Sequence, residues 1–361
     1  FRSFELVVES SLMINHDLSL GHNYENLKAL GGGRIHTFPI NHARPYCNST
    51  IVIYLMSRNG HFSRGFAKQI QWEDIDKLHL KQWLNMAKSE DLEGAGLARP
   101  PQTSGDLSSQ FLKSRHNRKA RLVARQEMRV CGLAVIPVIN EVYGGEIAFH
   151  PYASDGSWVA KGSCLGEFSG CVRSLLSAER LILNLLQHLS GISTHTSGYV
   201  QALGNSPTRL LDTRKTTPGM RVLEKYAVAC GGGWNHRMGL FDHIMLKDNH
   251  WSAYASQDGG SKDLRSVVKE CKKLNPEIWI EIEIDSIHQL TEAMDAGAHI
   301  IMFDNFTPHE IRESVKMADS HVWTEASGNI RKENLAELGG LGLDYVSCGA
   351  IIHQSRWLDI G

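Results

Sequence analysis

The chain has 361 residues, of which 42% are hydrophobic and 21% charged, a composition typical of a globular protein with one large domain or two ordinary ones. Its net charge of -1 excludes a broad nucleic-acid-binding surface, which needs a clustered excess of Lys and Arg. The seven cysteines form no C-x-x-C pair, and the apolar run at residues 51–56 is too short to cross a bilayer. We therefore expect a cytoplasmic protein without membrane or nucleic-acid partners.

The first 71 residues show no sustained period of 2 or 3.6 and contain three consecutive glycines at positions 31–33. The chain begins at Phe1 rather than Met, and Met56 offers an alternative start. We assign no fold to residues 1–71 and expect a disordered or non-native leader.

The next region, residues 72–190, mixes helical and strand patterns. Apolar spacing predicts a helix over residues 75–86 that breaks at residues 90–94. Alternation predicts strands near residues 119–125 and 146–150, and leucines spaced by four predict a helix over residues 177–190.

From about residue 209 onward, short apolar runs end in polar residues, and a helical pattern follows most of them. The runs are residues 210–211, 244–246, 278–284, 299–303, 322–323 and 345–346, and the predicted helices are residues 220–229, 264–273, 287–296, 308–317 and 329–338. Alternating strands and helices predict a parallel sheet, most simply closed as an α/β barrel. Catalytic groups of such barrels lie at the C-terminal strand ends, where this sequence has its polar clusters.

Three of these clusters are cationic. Arg214 and Lys215 follow a predicted strand, and an Arg fork beside a Lys is suited to a carboxylate or phosphate, although a solvated loop is an equal alternative. His236 and Arg237 follow three glycines that permit close approach of a ligand. Lys247 ends a buried strand, where a cation is costly unless it meets an anion.

The opposite charge is concentrated on one predicted strand. Strand alternation places Glu281, Glu283 and Asp285 on one face and the intervening isoleucines on the other. Asp304 at the end of the next strand adds a further carboxylate. Clustered carboxylates inside a barrel need cations, and oxygen ligands suit Mg²⁺; the alternative is a solvated strand face balanced by Lys and Arg.

Small residues end the last two predicted strands. Ser327, Gly328 and Asn329 are predicted to open a helix, and Gly349 follows the final strand, so backbone N–H groups could reach a phosphate. The clusters together predict two ligands, a small polycarboxylate and a metal-bound diphosphate sugar.

Several of these motifs resemble one family, quinolinate phosphoribosyltransferase. The similar stretches are residues 177–180 (SAER), 183–191 (LNLLQHLSG), 212–219 (DTRKTTPG), 225–237 (KYAVACGGGWNHR), 247–250 (KDNH), 281–285 (EIEID), 301–306 (IMFDNF), 325–329 (EASGN) and 358–361 (LDIG). The resemblance runs in order from about residue 72 to the end. It implies an N-terminal α/β sandwich over residues 72–190, an incomplete TIM-like parallel α/β barrel over residues 191–349, and a tail, residues 350–361, packed on the first domain.

The resemblance also implies an activity: transfer of a phosphoribosyl group from phosphoribosyl diphosphate (PRPP) to quinolinate with decarboxylation, giving nicotinate mononucleotide. Its implied catalytic groups are Lys215, Lys247, Glu283 and Asp304. The implied quinolinate-binding residues are Arg214, Lys215, His236, Arg237, Lys247 and, from the neighbouring subunit of a homodimer or larger homo-oligomer, Arg180. Glu283 and Asp304 would bind Mg²⁺ through PRPP and water, and the phosphate-binding residues would be Ser327, Gly328, Asn329, Gly349 and His353.

Two other functions remain open at this point. A paralogue of the same fold would use another anionic acceptor. A non-catalytic sensor of pyridine nucleotides or PRPP would bind its ligand without turnover, and it would have no need of Glu283 or Asp304.

The role of Arg214 gives a first prediction. Arg214→Ala should raise the KM for quinolinate and lower kcat, because the guanidinium would both bind and orient a carboxylate. Steady-state kinetics test this. An unchanged kcat/KM would exclude the carboxylate-binding role.

Overall fold

The computed structural model describes residues 66–99, 101–112, 117–255, 263–319 and 321–361, which fall in one unit spanning residues 64–361. Most of the predicted leader, residues 1–65, lies outside the described residues.

The helices are α1 (Lys77–Glu93), α2 (Ile136–Val142), α3 (Val172–Ala202), α4 (Arg221–Cys230), α5 (Asp248–Ala255), α6 (Leu264–Leu274), α7 (Leu290–Ala296), α8 (Pro308–Ala318), α9 (Leu335–Gly339) and α10 (Ala350–His353). The strands are β1 (Asn117–Val123), β2 (Met128–Arg129), β3 (Ile147–Pro151), β4 (Trp158–Val159), β5 (Cys164–Cys171), β6 (Arg209–Leu211), β7 (Ile244–Leu246), β8 (Ile280–Ile284), β9 (Ile300–Asp304), β10 (Trp323–Ser327) and β11 (Tyr345–Ser347).

The first part of the fold is a three-stranded antiparallel sheet in the order β1-β5-β3. β1 and β3 confirm the two predicted strands, whereas the central strand β5 was not predicted because its glycines interrupt the alternation. α1 begins after Asp76, whose side chain accepts hydrogen bonds from two backbone N–H groups. The predicted break at residues 90–94 is confirmed: α1 ends at Glu93, and Gly94 caps it with a φ of 68°.

A single long helix, α3, leads from this sheet to the second one. It extends from Val172 to Ala202, well beyond the predicted residues 177–190. The predicted domain boundary at residue 190 therefore falls inside a continuous helix, and it stays a prediction.

The second sheet has six parallel strands in the order β6-β11-β10-β9-β8-β7. The edge strands β6 and β7 are not hydrogen-bonded to each other in the described part of the chain, so the barrel is incomplete, as predicted. In β8 the isoleucines are buried and alternate with Glu281 and Glu283, which confirms the predicted two-faced strand. The neighbouring strand β9 is buried on both faces, which explains its nearly continuous apolar run.

The predicted helix over residues 329–338 was wrong in its first half. Gly328 and Asn329 have φ angles of 85° and 50°, and two consecutive left-handed residues cannot start an α-helix. A 3₁₀ turn at Lys332–Asn334 follows, and α9 begins only at Leu335. Residues 327–329 therefore form a turn at the end of β10, without a helix N-terminus.

The C-terminal tail lies against the first part of the fold. Val123 and Gly361 exchange two backbone hydrogen bonds, of 2.8 and 3.1 Å, and the Leu358 N–H donates to the Gln187 carbonyl at 3.1 Å. None of the described helices is long and apolar enough to cross a membrane.

A buried ion pair joins β6, α4 and the loop that follows α4. Asp212 and Lys225 are both fully buried and in direct contact. Asp212 also accepts from the Asn235 side chain at 2.8 Å and from the His236 N–H at 2.9 Å. Burial raises the pKa of Asp212 and lowers that of Lys225, and their pairing opposes both shifts.

This ion pair gives a prediction about stability. Lys225→Met should lower the free energy of unfolding by about 3–5 kcal/mol, because it leaves the Asp212 carboxylate buried without its cation. Denaturant unfolding measures the change. The matched control is Lys269→Met, at an exposed position of α6, which should change the free energy of unfolding by less than about 0.5 kcal/mol. Equal effects of the two substitutions would contradict the structural role of the pair.

Candidate active site

The C-terminal ends of the six parallel strands meet at one mouth of the barrel, as the sequence predicted. The strand order puts β7, β8 and β9 side by side on one side of this mouth, and β10, β11 and β6 on the other. Each strand end contributes at least one of the predicted site residues.

Arg214 and Lys215 follow β6 and are exposed at the mouth. The loop that carries them is fixed from below: the Lys215 N–H donates to Thr213 Oγ1 at 3.0 Å, and the Thr217 N–H donates to Glu224 Oε2 at 2.9 Å. Glu224 is fully buried, and its other oxygen lies 2.9 Å from His188 Nε2. The two cations are therefore displayed on an anchored loop and not on a freely solvated one.

Arg237 extends from the loop after α4 toward β7. Its Nη1 donates to the His243 carbonyl at 3.2 Å, and its guanidinium is largely buried. Burial lowers the pKa of Arg237, Glu281 opposes that shift, and the charge of Arg214 adds to it. The two guanidinium groups are thus close enough to influence each other, which an anion bound between them would relieve.

Lys247 and the predicted acidic pair lie on adjacent strands. Lys247 Nζ is in direct contact with Glu283 Oε2, and Asp304 stands beside them at the end of β9. Burial raises the pKa of Glu283; the Lys247 cation opposes this, and the Asp304 charge adds to it. Oxygen donors converging from two strands fit a hard divalent cation such as Mg²⁺. Asp285, predicted on the same face, lies beyond the end of β8 and is exposed.

A deeper layer of charge lies inside the barrel below Glu283. His236 is buried, with Nε2 3.3 Å from Glu281 Oε2 and 3.6 Å from Glu325 Oε2, and His243 Nε2 is 3.0 Å from the same Glu281 oxygen. Burial alone would raise the pKa of Glu281, but His236 and His243 hold it at about 2. Burial and the Glu281 charge raise the pKa of Glu325 to about 8.

This layer was only partly foreseen. Glu281 was predicted to point into the barrel, but Glu325 and His243 were not singled out. Glu325 occupies the third of five positions in β10, between Thr324 and Ala326, so strand alternation was the available signal. The donor atoms of His236, His243 and Glu281 lie within 4.8 Å of one another, a spacing that could also hold a metal ion.

The predicted phosphate-binding residues fall at two neighbouring strand ends. Ser327 pairs in register with Asp304, and the Asn329 side chain donates to Asn305 Oδ1 at 3.0 Å. A Cβ on Gly328 would lie only 2.2 Å from Asn305 Oδ1, so this position requires glycine. Gly349 packs against Lys215 and His353, whose side chains would lie 2.8 and 3.3 Å from an added Cβ. The mouth thus brings Lys215, Gly349 and His353 together.

Arg180 is the one predicted residue that the structure does not bring to this mouth. It lies on α3 with its side chain 69% exposed and 3.1 Å from Glu179. Its neighbours line a basic groove beside β1 that includes Arg118, Lys119 and Arg121.

Two family profiles match adjoining parts of the chain. The profile described as "Quinolinate phosphoribosyl transferase, C-terminal domain" matches residues 192–361, and the corresponding N-terminal domain profile matches residues 106–190. The chain belongs to the quinolinate phosphoribosyltransferase family.

Similar relatives come from bacteria and plants. A probable nicotinate-nucleotide pyrophosphorylase (carboxylating) of Bacillus subtilis is 39% identical over 290 residues, which cover 79% of this chain and 93% of the relative. A quinolinate phosphoribosyltransferase (decarboxylating) of Nicotiana glauca is 34% identical and covers 75% of this chain and 81% of its own length. The solved nicotinate-nucleotide pyrophosphorylase of Francisella tularensis superposes with a TM-score of 0.71 at 34% identity, covering 80% of this chain and 96% of that one.

Proposed function

We propose that this chain transfers the phosphoribosyl group of PRPP to the ring nitrogen of quinolinate, with loss of CO₂ and diphosphate, to give nicotinate mononucleotide. One observation carries the proposal: exposed and half-buried cations, namely Arg214, Lys215 and Lys247, share one barrel mouth with the acidic pair Glu283 and Asp304. Binding of a dicarboxylate requires the cations, and binding of a metal-bound diphosphate sugar requires the acidic pair.

The cations would bind and orient the acceptor. Arg214, Lys215, Arg237 and Lys247 would hold the two carboxylates of quinolinate, with His236 below them. Held in this way, the ring nitrogen would face the anomeric carbon of the ribose. Such orientation alone can lower the activation free energy by several kcal/mol, up to about 7–11 kcal/mol in well-aligned cases. The Lys247–Glu283 contact would link the two halves of the site, because Lys247 would bind the acceptor while it touches one member of the acidic pair.

The bond changes follow from this placement. The ring nitrogen forms a bond to the anomeric carbon, and the bond from that carbon to diphosphate breaks with its electron pair on the leaving oxygen. Glu283 and Asp304 would lie near the positive charge that develops on the ribose and would stabilise it. The bond between ring carbon 2 and its carboxylate then breaks and CO₂ leaves. The electron pair stays on carbon 2, stabilised by the adjacent cationic ring nitrogen, and a proton adds there, so the product keeps its pyridinium charge.

Glu283 and Asp304 would also hold Mg²⁺ through PRPP and water. When bound, the ion neutralises charge on the leaving diphosphate. Ser327, Gly328, Asn329, Gly349 and His353 would hold the 5-phosphate. The turn at residues 327–329, half-buried at Ser327 and Gly328 and exposed at Asn329, supports this role.

The function is tested with carboxyl-labelled quinolinate. Release of labelled CO₂ should require both PRPP and Mg²⁺ and should stop when EDTA removes the metal. Nicotinate and orotate serve as comparison acceptors. Turnover of either in place of quinolinate would indicate the paralogous activity, and tight ligand binding without any turnover would indicate a sensor.

A homodimer with shared sites would explain the location of Arg180. The residue lies in a basic groove on the exposed edge strand β1, where Asn117–Arg121 are all exposed, so a second subunit could cover this surface with its barrel mouth. Arg180 would then reach the quinolinate bound by the other subunit.

Subunit mixing tests the shared site. Arg180→Ala and Lys247→Ala should each abolish most activity as homodimers, because each removes a carboxylate-binding cation from every site. Mixed dimers should recover part of the activity, since one of their two sites contains both native residues. Arg118→Ala, in the same groove, is the control for general disturbance of the surface. Absence of recovery in mixed dimers that are shown to form would exclude the shared site.

A further inference from the structure

Residues 66–71, which we call the N-terminal strap, form hydrogen bonds with the loop that carries His236 and Arg237. The Asn235 N–H donates to the Lys68 carbonyl at 2.7 Å, and the Lys68 N–H donates back at 3.4 Å. The Ile70 N–H donates to Asn235 Oδ1 at 2.8 Å, and Gln69 Nε2 donates to the Gly233 carbonyl at 2.9 Å. The strap is thus hydrogen-bonded across 164 and 165 residues of sequence to this loop.

Asn235 joins the strap to the residues below the site. Its side-chain amide donates to Asp212 and to the Lys225 carbonyl, both at 2.8 Å, so every polar group of the residue is engaged. His236 and Arg237 follow immediately in the sequence. The strap is therefore hydrogen-bonded to the residue that directly precedes these two site residues.

Phe66 makes the second contact between the strap and the site, through its aromatic ring. It is 8% exposed and lies at the N-terminal end of the barrel strands, together with Tyr345. Its ring meets the His236 imidazole edge-on, with centroids 5.1 Å apart at 80°, and lies 4.6 Å from the His243 ring. An edge-to-face pair of this kind is directional, so the ring supports His236 from the side opposite to the mouth.

We propose that the N-terminal strap is a positioning element for quinolinate binding: Phe66 holds the imidazole of His236, and the bridge to Asn235 holds the loop. The inference rests on the proposed function, in which His236 and Arg237 bind a carboxylate. It assigns a role to residues just before the region in which the family motifs occur. A purely structural plug would lose stability on mutation but would not discriminate between the two substrates.

The test compares Phe66→Ala with Leu84→Ala, a truncation of a fully buried side chain on α1. Phe66→Ala should raise the KM for quinolinate about tenfold, because the imidazole can settle into the space left by the ring. The KM for PRPP should change less than about twofold. Phe66→Leu, which refills much of that space, should restore part of the quinolinate affinity. Leu84→Ala should leave both KM values unchanged.

The outcomes separate the inference from the proposed function. If the native chain turns over quinolinate but Phe66→Ala changes both KM values equally, or neither, the positioning role is excluded and the activity stands. If the native chain is inactive, the proposed function falls, and the strap is tested without substrate. The His236 signal in ¹⁵N-histidine NMR spectra, identified by its loss in His236→Asn, should then shift in Phe66→Ala and not in Leu84→Ala. An unmoved signal would overturn the inference.

Discussion

The buried contact between Asp212 and Lys225 is the constraint on which the mouth of the barrel depends. Two opposite charges without solvent are costly to bury, and they are tolerated only when neighbouring donors and acceptors complete their hydrogen bonds. Here Asn235 and the His236 backbone provide those partners. One pair therefore fixes the end of β6, the start of the Arg214–Lys215 loop and the loop after α4 at the same time.

Charge is arranged in layers along the barrel axis. An apolar cluster around Phe66 closes the end at which the strands begin, and the layer of His236 and Glu281 lies above it. The Lys247–Glu283 pair comes next, and Arg214 with its neighbours forms the exposed rim. Because the two inner layers pair basic with acidic side chains, a chain of net charge -1 can still present a strongly charged site.

Local patterns predicted some elements well and failed at others for identifiable reasons. The isoleucine–glutamate alternation of β8 survives intact because one face packs on helices and the other faces the barrel interior. The helix predicted from residue 329 failed because the pattern gives no sign of the left-handed backbone at Gly328 and Asn329. The end predicted for α1 at residues 90–94 was correct, because Gly94 adopts the left-handed backbone that ends a helix.

The sequence by itself determined the strand–helix repeat, the two-faced acidic strand and the identity of the cations at the strand ends. These follow from residue spacing within one element, which is a local property. Only the tertiary structure decided which charges meet: that Lys247 contacts Glu283, that His236 lies below the mouth, and that Arg180 lies away from it. Such pairings join residues tens of positions apart, and the physical reason is that burial, not spacing, selects the partner of a charge.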